Sequence, residues 1–263
     1  MILEQTFSPH PSLAERLRGG FDGARVVILG GTGGIGRALA GQLTTLGARV
    51  VSGSRGAAAP GRDLAGPSKG AVVEVKVDLI NTESLRHFAN WTSQALGAVD
   101  ILILTAGVSR LVPLRQIELL DDETIDLVAG SNFTGVLRAI RDLTPLLRRG
   151  TEPCIVNVSS AAARTGVGSN LAYVGSKAAM DAVTIALAKA LAPEIRVVGV
   201  APSALETDFV RGRGRDYFDR TIAATPLGRL ATPEEVADAI LVAARLLPMT
   251  TGAVIAVDGG RSL

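Results

Sequence analysis

The chain has 263 residues, of which 47% are hydrophobic and 20% charged, a composition typical of a globular protein with enough apolar material for a large core. Its net charge of +2 and its aromatic content of 3% supply neither a strong basic field nor stacking platforms, so we expect no nucleic-acid partner. No run of 18 uncharged apolar residues occurs, and the N-terminus lacks a signal-peptide pattern. We therefore expect no membrane partner and a cytoplasmic location.

The single cysteine, Cys154, excludes an internal disulfide framework. It stands in an apolar run, and we predict that it is a small core residue. His10 and His87 lie far apart with no ligand-like spacing, so the sequence predicts no metal site.

Residues 1–22 are predicted to be an N-terminal extension with a short helical patch from Ser12 to Arg18, either a flexible arm or an edge that packs on a neighbouring subunit. In residues 23–263, short apolar runs alternate with longer helical stretches. The apolar runs are Val26–Leu29, Arg49–Ser52, Val72–Val77, Ile101–Leu104, Ile155–Val158, Arg196–Val200 and Val254–Val257. The helical stretches lie near 34–46, 82–96, 121–148, 171–191 and 233–247.

Several of these runs are apolar without alternation, which is typical of strands covered on both faces. Strands that alternate with helices along a whole chain favour a parallel sheet with crossover helices. No internal repeat or linker divides the pattern. The sequence therefore predicts an α/β fold, a single doubly wound Rossmann domain with a mostly parallel seven-stranded sheet.

The first strand leads directly into the glycine-rich run Gly30-Gly31-Thr32-Gly33-Gly34-Ile35-Gly36, and a helical stretch follows. Glycines allow a sharp turn and bring backbone N–H groups against a pyrophosphate, while the positive end of the helix favours the anion. In this position the run predicts a dinucleotide site.

The residues after the second strand indicate which dinucleotide binds. An NAD site usually has a carboxylate about 20 residues beyond the glycines, but no Asp or Glu occurs from Arg37 to Arg62. Ser54 and Arg55 stand at the strand end instead, and a hydroxyl with a guanidinium suits a 2′-phosphate. We predict NADP(H) as the cofactor; the alternative is that Arg55 is a solvated loop residue.

Four polar residues suggest catalytic chemistry. Tyr173 and Lys177 are four residues apart at the start of a helical stretch, so they share one face, and an ammonium there lowers the pKa of a phenol. Ser160 follows a strand run, at the sheet edge where open α/β proteins bind ligands. Asn132 lies in an apolar helical stretch, where a buried amide needs a partner. The alternative for each is a capping or surface role.

Together these motifs resemble the short-chain dehydrogenase/reductase family in its common single-domain form, over about residues 24–260. The resemblance rests on residues spread along the whole chain. They are Gly30, Gly34, Gly36, Asp78, Asp100 to Gly107, Asn132, Ser160, Tyr173, Lys177, Pro202, Leu205 to Thr207, Pro226 to Arg229, Pro233 to Glu235 and Val257 to Gly260.

The resemblance implies a role for each catalytic residue. Tyr173 is expected to donate a proton to a carbonyl oxygen, or to accept it in the reverse direction. Lys177 is expected to lower the phenol pKa and to bind the nicotinamide ribose. Ser160 would hold the substrate oxygen, and Asn132 would anchor a water in a proton relay that ends at Lys177.

The motifs and the resemblance together give the expected cofactor contacts, with Asp78 at the adenine and Thr207 at the carboxamide. The full set is Gly30, Thr32, Gly33, Gly34, Ile35, Gly36, Ser54, Arg55, Asp78, Leu79, Ala106, Gly107, Tyr173, Lys177, Pro202, Leu205 and Thr207. Two positions depart from the family pattern. Leu104 and Thr105 stand where two amides are usual, and Ser203 stands where glycine follows the proline.

The expected function is an NADP-dependent oxidoreductase that interconverts a ketone or aldehyde and an alcohol by hydride transfer, with Tyr173 as general acid/base and a small molecule as substrate. One alternative is a catalytically idle NADP-binding sensor or subunit. Another is a 3-oxoacyl-carrier ketoreductase, for which Arg148 and Arg149 offer part of a basic docking surface, but Glu194 stands near the place where another basic contact would be wanted.

Substrate specificity is expected to reside between Ser203 and about Leu230. There Arg211, Arg213 and Arg215 alternate with glycines, and they would either meet an anionic substrate group or form a solvated loop tip.

A homotetramer or dimer is expected from the stretch Leu171 to Leu191. It carries Ala178, Ala179, Ala182, Ala186 and Ala190, and small residues at this spacing let another helix approach closely. The resemblance implies a four-helix interface with the stretch near 121–148 and a second contact at Val254 to Val257. The alternative is that the alanines pack only on the chain's own sheet.

Overall fold

A computed structural model describes residues 12–57, 66–207, 209–210, 212 and 214–263. The first eleven residues of the predicted extension, and Arg211 and Arg213 of the predicted basic loop, lie outside the described residues. The strands are β1 Arg25–Leu29, β2 Arg49–Ser54, β3 Ala71–Lys76, β4 Ile101–Leu104, β5 Cys154–Val158, β6 Arg196–Pro202 and β7 Val254–Val257. The α-helices are α1 Leu13–Phe21, α2 Gly34–Thr45, α3 Thr82–Leu96, α4 Asp122–Ala129, α5 Gly135–Leu147, α6 Ala162–Thr165, α7 Leu171–Leu191, α8 Arg215–Ala223 and α9 Pro233–Arg245.

The seven strands form one sheet in the order β3-β2-β1-β4-β5-β6-β7, and each of their pairings is parallel. The order runs outward from β1 in both directions, so the crossover helices cover both faces. The predicted doubly wound seven-stranded fold is confirmed.

Both faces of the sheet are buried. Successive side chains of a strand point to opposite sides, so each strand contributes to the core on both faces. In β1, Val27 and Leu29 join a core cluster with α3 and α5, while Val26 and Ile28 join a second cluster with α2 and α9. This explains why the strand sequences are continuously apolar rather than alternating. Cys154 is fully buried in the second cluster, as predicted, and burial raises the pKa of its thiol.

The helical stretch predicted near 121–148 is divided in the structure. A π-helical turn over Gly130–Thr134 joins α4 to α5, and such turns insert one extra residue into a helix and re-aim its side chains. The helices α6 and α8 were not predicted, because both are short and neither has a clear apolar period.

The described part of the extension packs on its own domain. Ser12 and Glu15 form a capping box that starts α1, and Phe21 is fully buried in the core cluster with α9. Arg245 of α9 donates to the carbonyl of Gly20 at 2.9 Å. For residues 12–22 these contacts differ from the expected flexible arm, because Phe21 finds an apolar site within the same chain.

Asp100 joins the amino ends of the central strands. Its carboxylate accepts hydrogen bonds from the backbone N–H of Arg25 (2.7 Å), from the Arg25 guanidinium (2.6 and 2.9 Å) and from the N–H of Thr151 (2.6 Å). Burial raises the pKa of this carboxyl, but the hydrogen bonds from Arg25 and Thr151 outweigh burial, and the net pKa is lowered. One buried anion thus fixes the starts of β1, β4 and β5 relative to one another.

Asp100→Asn should lower the free energy of unfolding by about 3 kcal/mol, because it leaves the Arg25 guanidinium partly buried without its counter-charge. Urea denaturation followed by circular dichroism measures this change. The matched control is Asp22→Asn, which breaks an ion pair with Lys69 in which both side chains are about half exposed or more; it should cost less than about 1 kcal/mol. Equal effects of the two substitutions would contradict the structural role of Asp100.

Candidate active site

A cavity of about 580 Å³ opens at the carboxyl edge of the sheet. It extends from Arg55 and Asp78, beyond the ends of β2 and β3, to Pro202 at the end of β6 and to α8. Parallel strands bring these ends to one edge, which is where open α/β sheets bind ligands.

The glycine-rich turn forms one wall of this cavity in a conformation that side chains would block. Gly30 has a φ of +100°, and a Cβ there would lie 2.5 Å from the backbone nitrogen of Ala106. A Cβ on Gly36 would collide with the carbonyl oxygen of Gly30. Gly33 caps α2 without any side-chain hydrogen bond, so the first N–H groups of the helix remain for an anion. The turn therefore fits the pyrophosphate of a dinucleotide.

The opposite wall at this end carries hydroxyl and cationic groups. Ser54, Arg55, Asp78 and Leu79 line it as predicted, and the buried Ser54 Oγ has no hydrogen-bond partner among the described residues. A buried hydroxyl without a partner is costly unless a ligand completes it. Arg37, at the start of α2, also lines the cavity, and its guanidinium donates to the carbonyl of Thr32 in the glycine turn.

The catalytic candidates lie at the other end of the cavity. Ser160, Tyr173 and Lys177 all line it. Asn170 starts α7 by accepting a hydrogen bond from the N–H of Tyr173 at 2.7 Å, which places Tyr173 and Lys177 on consecutive turns of the same face. The Lys177 Nζ lies 5.8 Å from the centre of the Tyr173 ring and donates to the carbonyl of Val158 at 2.9 Å. The Ser160 Oγ accepts from the N–H of Ala162 at 3.2 Å.

Lys177 is buried, with 5% of its surface exposed. Burial lowers its pKa from 10.5 to about 8, and the negative charge of Asp181, one turn along α7, opposes that shift. Burial in turn raises the pKa of Asp181, against the opposing effects of Ser159, Arg164 and Lys177. The site therefore holds a lysine that changes charge close to neutral pH.

Asn132 does not itself line the cavity, but its side chain binds Val108, which does. It lies in the π turn, 1% exposed, and both of its polar atoms bind the backbone of Val108: Oδ1 accepts from the N–H at 2.8 Å, and Nδ2 donates to the carbonyl at 3.0 Å. Nδ2 also donates to the Ser176 hydroxyl at 3.3 Å. The buried amide thus has the partners that it needs, and it ties the turn after β4 to α7.

Comparisons with known proteins agree with this geometry. A family model described as "Enoyl-(Acyl carrier protein) reductase" matches residues 30–262. The chain belongs to the short-chain dehydrogenase/reductase family. It is therefore an oxidoreductase of this family, and its fold and the ordered motifs agree with that membership.

Among characterised relatives, an L-xylulose reductase from Bos taurus is 34% identical over 246 residues, which are 90% of this chain and 96% of that protein. A 3-oxoacyl-[acyl-carrier-protein] reductase from Aquifex aeolicus is 32% identical, covering 89% of this chain and 95% of that protein. The crystal structure of a 3-ketoacyl-(acyl-carrier-protein) reductase from Brucella melitensis complexed with NADH superposes with a TM-score of 0.80 at 29% identity, covering 92% of this chain and 100% of that one.

The two departures from the family pattern have local explanations. The hydroxyl of Thr105 donates to the carbonyl of Leu29 at 3.0 Å, and the N–H groups of Thr105 and Ala106 donate to the same oxygen. The threonine thereby braces β1 against β4 where the family uses amides. Ser203 lines the cavity, and its N–H donates to the carbonyl of Val257 at 3.3 Å.

Every catalytic and cofactor residue predicted from the sequence lines the cavity, with the exception of Asn132. Sequence reasoning missed other lining residues. Among them are Arg37, Val108, Ser131, Phe209, Tyr217, Thr221 and Arg261. Arg37 could have been found from its position after the glycines. The Phe209 ring lies 5.9 Å from that of Tyr173, but the segment around it has no motif or period that would predict this contact.

The Lys177 ammonium should titrate with a pKa of about 8, and Asp181→Asn should lower that pKa further, because it removes the negative charge that favours the ammonium form. Because the chain has four lysines, side-chain nitrogen NMR can resolve the signal of the Lys177 ammonium. The signal is assigned as the one that disappears in the Lys177→Arg variant. The unfolded-state pKa exceeds the folded one, so between pH 8 and 10.5 this group adds stability as the pH rises. Asp22→Asn, on the exposed Lys69 pair, should leave the Lys177 titration unchanged. A Lys177 pKa above 10 would refute the burial argument.

Proposed function

We propose that this protein is a cytoplasmic, NADP(H)-dependent oxidoreductase that interconverts a ketone or aldehyde and an alcohol. One observation carries the proposal: Ser160, Tyr173 and Lys177 line the same cavity as the glycine turn at the start of α2. A cofactor seated on that turn would extend toward these three side chains. The buried Cys154 agrees with a reducing compartment.

The residues of this chain supply the proton and the charge stabilisation. When bound, the cofactor supplies the hydride. The Tyr173 hydroxyl donates a proton to the carbonyl oxygen as negative charge develops there, and the Ser160 hydroxyl donates a hydrogen bond to the same oxygen. The Lys177 ammonium, buried where water screens it little, stabilises the phenolate that Tyr173 becomes.

Asn132 acts in this scheme by positioning. Both polar atoms of its side-chain amide already bind Val108 or Ser176, so the amide is less available to the relay water that the family resemblance implies. The role proposed for Asn132 is to hold the π turn beside Lys177.

Preference for the phosphorylated cofactor is supported by charge at the adenosine end. Arg55 lines this end, and Asp78 is the one carboxylate among the described lining residues. A 2′-phosphate would meet the Arg55 guanidinium. Beside it, the Ser54 hydroxyl has no hydrogen-bond partner among the described residues.

Tyr173→Phe should lower kcat more than tenfold while leaving the Kd for NADPH near the wild-type value, because the ring stays and only the proton donor is lost. Steady-state NADPH oxidation measures the first quantity, and fluorescence titration measures the second. The substrates are a panel of ketones, 3-oxoacyl thioesters and sugars. If the variant kept more than about a tenth of the wild-type kcat, Tyr173 would not be the general acid.

Arg55→Ala should raise the KM for NADPH roughly tenfold or more and leave the KM for NADH nearly unchanged, since one charge-assisted contact contributes about 1.5–3 kcal/mol. The control is Arg86→Ala, on the exposed surface of α3 and outside the cavity lining; it should affect neither cofactor. An unchanged ratio of the two KM values would remove the NADP assignment.

A 3-oxoacyl-carrier ketoreductase is the second candidate, favoured by the names of the Aquifex and Brucella relatives. Against it, the Arg148 guanidinium donates to Glu194 at 2.9 Å, so the basic surface expected there is partly neutralised. Turnover of the 3-oxoacyl thioesters in excess of the simple ketones would favour this candidate. Tight NADPH binding without turnover of any panel member would favour an idle sensor or subunit.

We also propose that the chain forms a homo-oligomer through α7. By length and composition, α7 is the one described helix able to span a bilayer, but Lys177 and Asp181 lie on its inner side and it packs against β6. Its outer face exposes Ala178, Ala182 and Ile185. A smooth apolar face of this kind suits close packing with a second copy.

Ala182→Glu should reduce the molar mass in solution and lower the melting temperature, because a symmetric interface places the new charges close together. Light scattering at micromolar concentration gives the mass, and Ala14→Glu, on the exposed face of α1, is the control that should change neither quantity. A wild-type protein of monomer mass would overturn the proposed assembly.

A further inference from the structure

The tail that follows β7 turns back onto the cavity. The Asp258 carboxylate accepts hydrogen bonds from the N–H of Gly260 (2.9 Å), from the N–H of Ser262 (3.0 Å) and from the Ser262 hydroxyl (2.5 Å). The N–H of Arg261 donates to the carbonyl of Asp258 at 3.1 Å. This tight turn fixes the backbone of Arg261, which is one of the residues that line the cavity.

Arg261 lies at the substrate end and not at the cofactor phosphates. The tail packs against the segment after α8, where the N–H of Leu227 donates to the carbonyl of Gly259 at 3.1 Å. Tyr217 and Thr221 of α8, the helix that precedes this segment, also line the cavity. In the sheet, β7 and β2 are five strand spacings apart, roughly 24 Å. Arg55, beyond β2, and Arg261, beyond β7, therefore serve different ligand groups.

Among the residues that the structure describes, none provides a counter-charge for the guanidinium of Arg261. Among the described residues it makes no hydrogen bond or ion pair, although the side chain is partly buried. The Asp258 carboxylate is occupied by the backbone and by Ser262, and the one described carboxylate that lines the cavity, Asp78, lies at the adenosine end. A ligand that filled the substrate end would strip water from this cation, and a neutral ligand could not compensate for that loss.

We propose that Arg261 binds an anionic group of the substrate, a carboxylate or a phosphate, and so restricts the enzyme to acidic carbonyl compounds. The inference rests on the proposed carbonyl reduction and adds the substrate class to it. A guanidinium suits both groups because it can donate two parallel hydrogen bonds. Of the three loop arginines considered from the sequence, the structure describes Arg215, which pairs with Asp219 at 3.1 Å on the exposed side of α8.

Matched substrate pairs test the proposal. In each pair the carbonyl is the same and only the charge differs: 4-oxopentanoate against its methyl ester, and dihydroxyacetone phosphate against dihydroxyacetone. Wild-type kcat/KM with NADPH should favour the acidic member of at least one pair by about tenfold or more. Which pair discriminates shows whether the group is a carboxylate or a phosphate.

Substitution of Arg261 should remove that discrimination. Arg261→Gln should lower kcat/KM for the acidic member about tenfold and leave the neutral member nearly unchanged, while Arg261→Lys should retain part of the preference because it keeps the charge but not the planar fork. Arg215→Gln, outside the cavity lining, should leave the preference intact. Equal use of both members in both pairs by the wild type, or a preference that survives in Arg261→Gln, would overturn the proposal.

A binding measurement separates this proposal from the proposed reaction. In protein loaded with NADP⁺ no hydride is available to a ketone, so calorimetry with the same four compounds reports binding alone. Tighter binding of an acidic member that is lost in Arg261→Gln would support the anion site even if no compound were reduced. Binding without any charge preference would reject the anion site even if neutral ketones were reduced well.

Discussion

The parallel direction of the strands is the constraint from which the site follows. Because each strand of the sheet starts at the same edge, the chain must cross back over a face before each new strand. Every carboxyl end then opens onto one cavity, and groups far apart in sequence, such as Gly30, Ser160 and Pro202, line it together. At the opposite edge the carboxylate of Asp100 holds three amino ends in register, so alignment at one edge sets the geometry at the other.

Placing a lysine in the interior is the most demanding step in building this site. Lys177 loses most of its hydration when it is buried. In place of water, its ammonium donates to the carbonyl of Val158 at 2.9 Å, and the half-buried carboxylate of Asp181 lies one turn away. These partners keep the ammonium form accessible near neutrality without neutralising it by a direct ion pair. The same helix therefore combines an apolar, alanine-rich outer face with a charged inner one, which explains why its composition resembles that of a membrane span.

The sequence alone was sufficient to predict the features that repeat along the chain or that depend on residue spacing within one element. All seven strands were predicted within a few residues, because continuous apolar runs between helical stretches have few other interpretations. The glycine turn and the Tyr173–Lys177 pair were also found, since each depends on spacing within a single element.

The remaining features depend on contacts between distant segments. The π turn at Asn132 arises where the amide must reach the backbone of Val108, 24 residues earlier, and no pattern in a single helix encodes that distance. The first six residues of helix α8 include Arg215, Tyr217 and Arg220, and the helix has no regular apolar face. Its position therefore depends on the cavity that it borders. Arg261 looks like an ordinary terminal residue until the tail is seen to fold back.

The tail connects the outer edge of β7 to the substrate end of the cavity. β7 pairs with β6 on one side, and no described strand lies on its other side, so its outer edge offers unpaired backbone groups to a neighbouring molecule. Arg261 follows that strand by only four residues and is fixed to it through Asp258. Any partner that orders or shifts the outer strand would move the guanidinium by a similar amount. Affinity for an acidic ligand and association through this edge would then be thermodynamically linked, each strengthening or weakening the other by the same factor.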